Sequence, residues 1–160
     1  MRDALLEAFA LKAVDRAGWV RAGVDGPESV AAHSWGISLL VLLMLPAGLD
    51  RERALVYAVL HDLAEAWVGD VTPHDDVPDK HAREDAAMVA FCERVARPDL
   101  LAAWRAYEAQ ADPEARFVKQ LDRLDMGLQA ALYSRQGLDL SEFLESALAG
   151  IDAPELRALL

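Results

Sequence analysis

From Asp112 to Gly137 the chain carries the punctuation of one long helix. Asp112 is a capping residue, Pro113 suits the first helical position, and Glu114 puts an acid in the first turn. Phe117, Leu121, Leu124 and Leu128 recur on one inward face, and Gly137 supplies the stop. The spacing predicts a helix to about Gln136. Composition says what surrounds it: 30 Ala and 25 Leu stand against two Ile and one Thr. Ala and Leu keep their freedom in helices, whereas β-branched residues build strands. The expected fold class is all-α, and an all-β or doubly wound fold is disfavoured.

Similar signals divide the rest. A first helix is expected from about Asp3 to Val14 or a little beyond, with Gly18 past its end, and 23–27 as a loop. A second runs from Ser29 to Leu45 and stops before Pro46. Asp50 caps a third, which carries Ala54 to about Ala66. The segment from Gly69 to Asp79 holds two prolines, one glycine and four aspartates and is read as a functional or mobile loop. Helices follow over His81–Ala96, Asp99–Gln110 and Pro113–Gln136, then from Ser141 and from about Pro154. The expectation is one domain over residues 1–160, a bundle of about six to eight helices.

A length of 160 residues is enough to bury a real core. The net charge of −11 disfavours binding to a nucleic-acid polymer, which requires a basic face. Cys92 is the one cysteine, so no intrachain disulfide forms, and a reducing cytoplasm is expected, with Cys92 a core residue. The N-terminus does not read as a signal peptide. The apolar run Ile37–Leu45 is too short to cross a bilayer, which takes about 20 residues, and is read as a buried helix.

Three apolar helices each carry a metal-type ligand near the buried face. His33 opens one, the doublet His61-Asp62 ends the apolar run of another, and Asp122 sits beside the stripe of the long helix. A buried His-Asp doublet is costly unless coordinated or hydrogen-bonded. Imidazole nitrogen with carboxylate oxygen suits a divalent transition metal. Glu65 lies three and four residues beyond the doublet and can border the same cleft. Asp125, three after Asp122, is either a neighbour of the site or a solvated acid. Each residue alone also reads as ordinary helix chemistry. Spacing by itself supports a helical domain with a candidate metal site.

The order His33, His61-Asp62, Asp122 resembles the HD-domain metal-dependent phosphohydrolases. The stretches 16–20, 27–35, 61–66, 68–73, 80–88, 107–110 and 117–122 resemble the 5′-deoxynucleotidase branch of that family. The resemblance covers about Leu11 to Tyr133, with the metal-site core at about 28–133. One departure is Ala32, where the family often carries Glu. The resemblance implies that His33, His61, Asp62 and Asp122 hold a divalent cation, cobalt, manganese, zinc or magnesium. It implies a 5′-nucleotidase acting on deoxynucleoside monophosphates, with Glu65 handling protons or positioning water. A second reading gives Glu65, Asp70 and the Val71 carbonyl to a second, harder cation. Implied substrate contacts are Arg16, Trp19, His33, Asp70, Val71, Thr72, Pro73 and Asp122. Arg16 or Arg21 reaches phosphate, and Trp19 packs on the deoxyribose or belongs to the core. His74 and His81 are read as solvent-facing or at a helix start. Branch members tend to be homodimers, with Trp104, Tyr107, Leu156, Leu159 or Leu160 as interface or core residues. The competing readings are an HD phosphohydrolase for another nucleotide or small phosphate ester, and a degenerate helical interaction module.

Overall fold

The computed structural model describes residues 1–72, 75 and 78–160. Among them the α-helical segments are α1 (Arg2–Ala8), α2 (Ala17–Arg21), α3 (Val30–Met44), α4 (Arg51–Leu60), α5 (Glu65–Val68), α6 (Lys80–Val95), α7 (Pro98–Glu108), α8 (Pro113–Ser134), α9 (Ser141–Ala149) and α10 (Pro154–Arg157). A 3₁₀ turn, Phe9–Ala13, follows α1. The described residues form no strand, only an isolated antiparallel bridge between Asp15 and Ser29. The fold is all-α, as the composition requires. The count exceeds eight because α2, α5 and α10 are single short turns.

The capping signals act where the sequence places them. Asp112 accepts from the Ala115 N–H at 2.8 Å and takes the Tyr57 hydroxyl at 2.6 Å. Ser29 accepts from the Ala32 N–H at 3.2 Å, and Asp50 from the Arg53 N–H at 3.1 Å. Each satisfies an otherwise orphaned helix donor. Helix α8 lies at the centre, against α3, α4, α7, α9 and α10. Leu121 and Leu124 are fully buried in a core shared with Ile37, Val41, Tyr57 and Ala58. Burying each leucine contributes about 1.5–3 kcal/mol. A second cluster joins α1, α4, α6 and α7 around Met88 and Trp104, and contains Cys92. A third packs Trp19 against Tyr133, Leu140 and Phe143.

Three expectations are corrected. The first helix ends at Ala8 and is followed by the 3₁₀ turn, and Gly18 lies inside α2 rather than past a helix end. The helix begun at Asp50 does not reach Ala66: it stops at Leu60, and a run of turns carries residues 61–64 before α5. The Leu63 N–H reaches Leu60 O and the Glu65 N–H reaches Asp62 O, contacts three residues back that tighten the coil at the doublet. The run Ile37–Leu45 is only half buried. Its inner face meets α4 and α8, while Trp35, Leu39, Leu42 and Leu43 remain 68, 39, 53 and 71% exposed, because no other element among the described residues covers that side. Of the two readings given for them, Trp104, Tyr107 and Leu156 take the core one, with exposures of 3% or less.

Candidate metal centre

The site forms where α3, the α4–α5 junction and α8 meet. His33 lies in the first turn of α3 and is fully buried. Its Nδ1 is 2.7 Å from Asp125 Oδ2. An ionised carboxylate only accepts, so Nδ1 carries a proton. Burial and then Arg16 work to lower the ring's pKa, but Asp122 and Asp125 outweigh them and push it up to about 9, so an ion at Nε2 would take the place of a second proton there. His61 repeats the arrangement from the end of α4: Nδ1 donates to Ala58 O at 3.0 Å. Neither Nε2 has a hydrogen-bond partner, although both are buried.

The two free nitrogens converge with carboxylate oxygens. Asp62 Oδ2 is 3.7 Å from His33 Nε2 and 3.1 Å from His61 Nε2, and Asp122 Oδ1 is 3.2 Å from His33 Nε2. Donors sharing one ion at about 2.0–2.2 Å lie no more than about 4.4 Å apart. The donor atoms of His33, His61 and Asp62 all fall within 4.8 Å of one another. Close approach without hydrogen-bond alignment suits atoms aimed at a common point. Asp122 is not one of that trio, but stands beside His33 Nε2 and is paired with Lys119. The residues fit the divalent ion that the sequence pattern implies.

Glu28, His33 and Asp125 also bring donor atoms within 4.8 Å. There the Nδ1 proton is already taken by Asp125, so that trio orients the ring. Gly36 makes the orientation sterically feasible. A Cβ at that position would stand 2.1 Å from Asp125 Oδ1.

Cations already lean on the carboxylates. Arg16 Nη1 is 3.3 Å from Asp62 Oδ2, and Lys119 Nζ is 2.8 Å from Asp122 Oδ2. Burial works to raise Asp62, but His61 and then Arg16 and His33 outweigh it and hold the carboxyl well below its usual range. Glu65 goes the other way. It is 4% exposed, and burial, then Asp62 and Asp70, push it up to about 10. A carboxyl in that environment keeps its proton at neutral pH when no further cation is nearby.

A cleft of about 440 Å³ opens over these groups, a volume in the range of small-molecule sites. Its lining includes Arg16, Asp62, Glu65, Asp70, Val71, Thr72, Lys80, Lys119 and Asp122, together with Trp19, Arg21, Met126, Glu142 and Phe143. The cleft therefore gathers the expected carboxylates, Arg16, Trp19 and the 70–72 segment, while His33 and His61 are buried and do not line it. Pro73 and His74 lie outside the described residues. His81 is set apart, 3.7 Å from Glu108 and stacked on Trp104. Arg16 is the inner arginine. Arg21 pairs with Glu142 at 3.3 Å, where both are more exposed. Trp19 belongs to both readings given for it. It lines the cleft, yet its ring is 2% exposed, packs 4.4 Å from Phe143, and donates Nε1–H to Glu28 at 3.0 Å.

Arg16 and Trp19 are delivered by local contacts the sequence does not announce. The Arg16 N–H donates to Glu28 O at 3.1 Å, beside the start of α3. Asp70 Oδ2 accepts from the Ala17 N–H at 2.7 Å, pinning the start of α2. Lys80, Lys119, Gly36 and Glu28 were not singled out from sequence. Only Lys119 left a signal, standing one helical turn before Asp122 on the same face.

Fold and site together define an all-helical domain built around a histidine–carboxylate centre that suits a divalent metal. Residues 8–158 match the HD domain family. The chain is 39% identical over 158 residues to the 5′-deoxynucleotidase HDDC2 of Danio rerio, covering 94% of this chain and 79% of that protein. It is 37% identical over 155 residues to the Mus musculus 5′-deoxynucleotidase HDDC2, covering 91% and 77%. The crystal structure of PH0347 protein from Pyrococcus horikoshii superposes with a TM-score of 0.83 at 33% identity, covering 99% of this chain and 93% of that one. The chain belongs to the HD domain family.

Proposed function

We propose that this chain is a divalent-metal-dependent phosphomonoesterase that hydrolyses deoxynucleoside 5′-monophosphates to deoxynucleoside and inorganic phosphate. The supporting observation is the pair of buried histidines, each tied at Nδ1 and unpaired at Nε2 beside Asp62. We assign His33, His61, Asp62 and Asp122 as ligands, with cobalt or manganese as activators and zinc or magnesium as alternatives. The ion would supply Lewis acidity toward the phosphate and offset its charge.

The chain's own groups have distinct tasks. Arg16 presents a planar fork of donors suited to phosphate oxygens. Lys119 adds positive charge at the Asp122 side of the cleft. Water must lose a proton as its oxygen joins phosphorus, and the leaving O5′ must gain one. Glu65 lines the cleft, and its Oε2 is buried and unpaired, so we assign it to hold and move that proton. Asp70, Val71, Thr72 and Pro73 border the nucleotide. The Trp19–Phe143 wall receives the sugar. Trp19 Nε1–H is committed to Glu28, so Trp19 and Phe143 offer ring surface rather than a hydrogen-bond donor to the sugar.

A panel of deoxynucleotides, ribonucleotides and simple phosphate esters across several divalent metals tests this reading by phosphate release. Preferential turnover of deoxynucleotides is expected. Equal turnover of ribonucleotides defeats the deoxy preference. Absence of bound metal, with no activity after metal addition, defeats the enzyme reading.

The exposed α3 stripe supports a homodimer. Trp35, Leu39, Leu42 and Leu43 share one uncharged helix face that a second copy would cover. Sedimentation of Leu43→Lys is expected to give monomers. Among the described residues no helix is long and apolar enough to cross a membrane. The buried free thiol of Cys92 suits a reducing compartment such as the cytoplasm. We take residues 1–160 to act as one domain.

A further inference from the structure

We infer that Lys80 is a built-in cation that occupies the oxygen cage of Glu65 and Val71 and competes with a second divalent ion for it. This rests on the metal-centre reading above and concerns a separate position in the same cleft. Glu65 is almost fully buried, and its Oε2 has no partner. A buried carboxyl oxygen left without a partner is costly. Lys80 Nζ donates to Val71 O at 3.1 Å and lies 3.5 Å from Glu84 Oε1 and 3.9 Å from Glu65 Oε1. Asp70 lines the same cleft and uses Oδ2 on the Ala17 N–H.

The donors around the ammonium are all hard oxygens, the kind magnesium or calcium takes at about 2.0–2.6 Å. An ammonium bonded to the Val71 carbonyl and a dication on the same oxygen would stand within a few ångströms of each other, in a partly buried site that screens little. Both cannot be held at once. Lysine is suited to yield, because its charge rides on a flexible four-carbon stem and its side chain is 38% exposed at the cleft edge. In the one-ion protein Lys80 therefore ties the segment after α5 to the first turn of α6. When a second ion enters, the ammonium leaves Val71 and its charge stays in the cleft, where a phosphate would lie.

The test is a calorimetric titration of the whole chain, loaded with one manganese ion, against magnesium, with bound metal counted by elemental analysis. Lys80→Met is expected to bind the second ion at least tenfold more tightly than the wild type. Arg83→Met removes the same charge from the exposed face of α6 and is expected to shift that affinity less than threefold. Adding Glu65→Gln to Lys80→Met is expected to abolish second-ion binding and leave the first ion in place. The proposal is overturned if Lys80→Met matches the wild type, if Arg83→Met shifts affinity as much, or if neither wild type nor Lys80→Met takes a second ion. Failure of the wild type to take even the first ion instead defeats the His–Asp centre.

Discussion

Helix α8 and the α4–α5 segment both carry ligands we propose for the centre, by opposite means. Helix α8 runs unbroken from Pro113 to Ser134 and sets Lys119, Asp122 and Asp125 at successive three-residue steps. The α4–α5 segment delivers His61, Asp62 and Glu65 from a place where the helix has come apart into turns. On α8 the backbone is satisfied internally, and geometry follows from helical pitch. At the junction, departure from the pitch aims two consecutive residues, His61 and Asp62, at one point, which a regular helix cannot do because neighbours diverge by about 100°. The difference separates ligands placed by periodicity from ligands placed by its failure.

The sharpest way to break the comparison is to remove one ligand from each side. Asp62→Ala and Asp122→Ala are each expected to lose bound metal and at least about a hundredfold in phosphate release, measured by elemental analysis and a phosphate assay. Asp62→Ala should leave the melting temperature closer to wild type, since Asp62 sits at an already irregular turn. If Asp122→Ala keeps both metal and activity, α8 is not a ligand-bearing helix.

A smaller effect is expected from the support of His33. Gly36→Ala drives a methyl into Asp125, and Asp125→Asn weakens the acceptor that orients the ring. Each is expected to reduce metal affinity about 10–100-fold, read by competition with a chelating dye. Gly36→Ala should also cost about 1–3 kcal/mol in denaturant unfolding, from overpacking. Unchanged affinity in both variants would show that His33 needs no orienting partner.

The end of α8 gives a stability effect without a catalytic one. Asp112→Ala is expected to cost about 0.5–2 kcal/mol while turnover per folded molecule stays the same. Burial opposes the Asp112 charge, but the Tyr57 hydroxyl, the Ala115 N–H and Arg53 outweigh it and hold the carboxyl below its ordinary value. A carboxyl depressed by folding stabilises above its unfolded pKa of about 3.9, and the contribution fades as pH falls through the lower folded value. Wild type should therefore lose its advantage over Asp112→Ala as melting is followed from neutral pH to below the ordinary carboxylate range. A gap independent of pH would exclude the charged cap. The smallest change, about 1 kcal/mol at most, is expected for Ser29→Ala at the start of α3, with metal affinity intact.

The parts legible in advance follow from this contrast. Asp112, Pro113, the apolar stripe and Gly137 announce α8, and Asp125 is within its reach as one of two stated readings. The break after Leu60 left no mark, because 58–66 contains neither proline nor glycine. The turn there follows from the packing of Trp104, whose Nε1–H reaches His61 O at 3.2 Å, and of the α6 and α7 surfaces around it. The exposed side of α3 was also illegible. A helix apolar on nearly every side reads as buried when its partners are unknown, and Leu42 and Leu43 look no different from Ile37 and Val41.

By itself the sequence determined the helical class, the starts of α3, α4 and α8 through Ser29, Asp50 and Asp112, and the residue types able to hold a divalent ion. Those follow from local propensity and capping, which act within a few residues. Tertiary structure decided the rest: which nitrogen of each histidine is free, that Gly36 makes room for Asp125, that Arg16 rather than Arg21 meets Asp62, and that Lys80 lies against Val71 and Glu65. Those relations join residues far apart in the chain, and the core that brings them together is packed by shape and area rather than by any pattern a single stretch can carry.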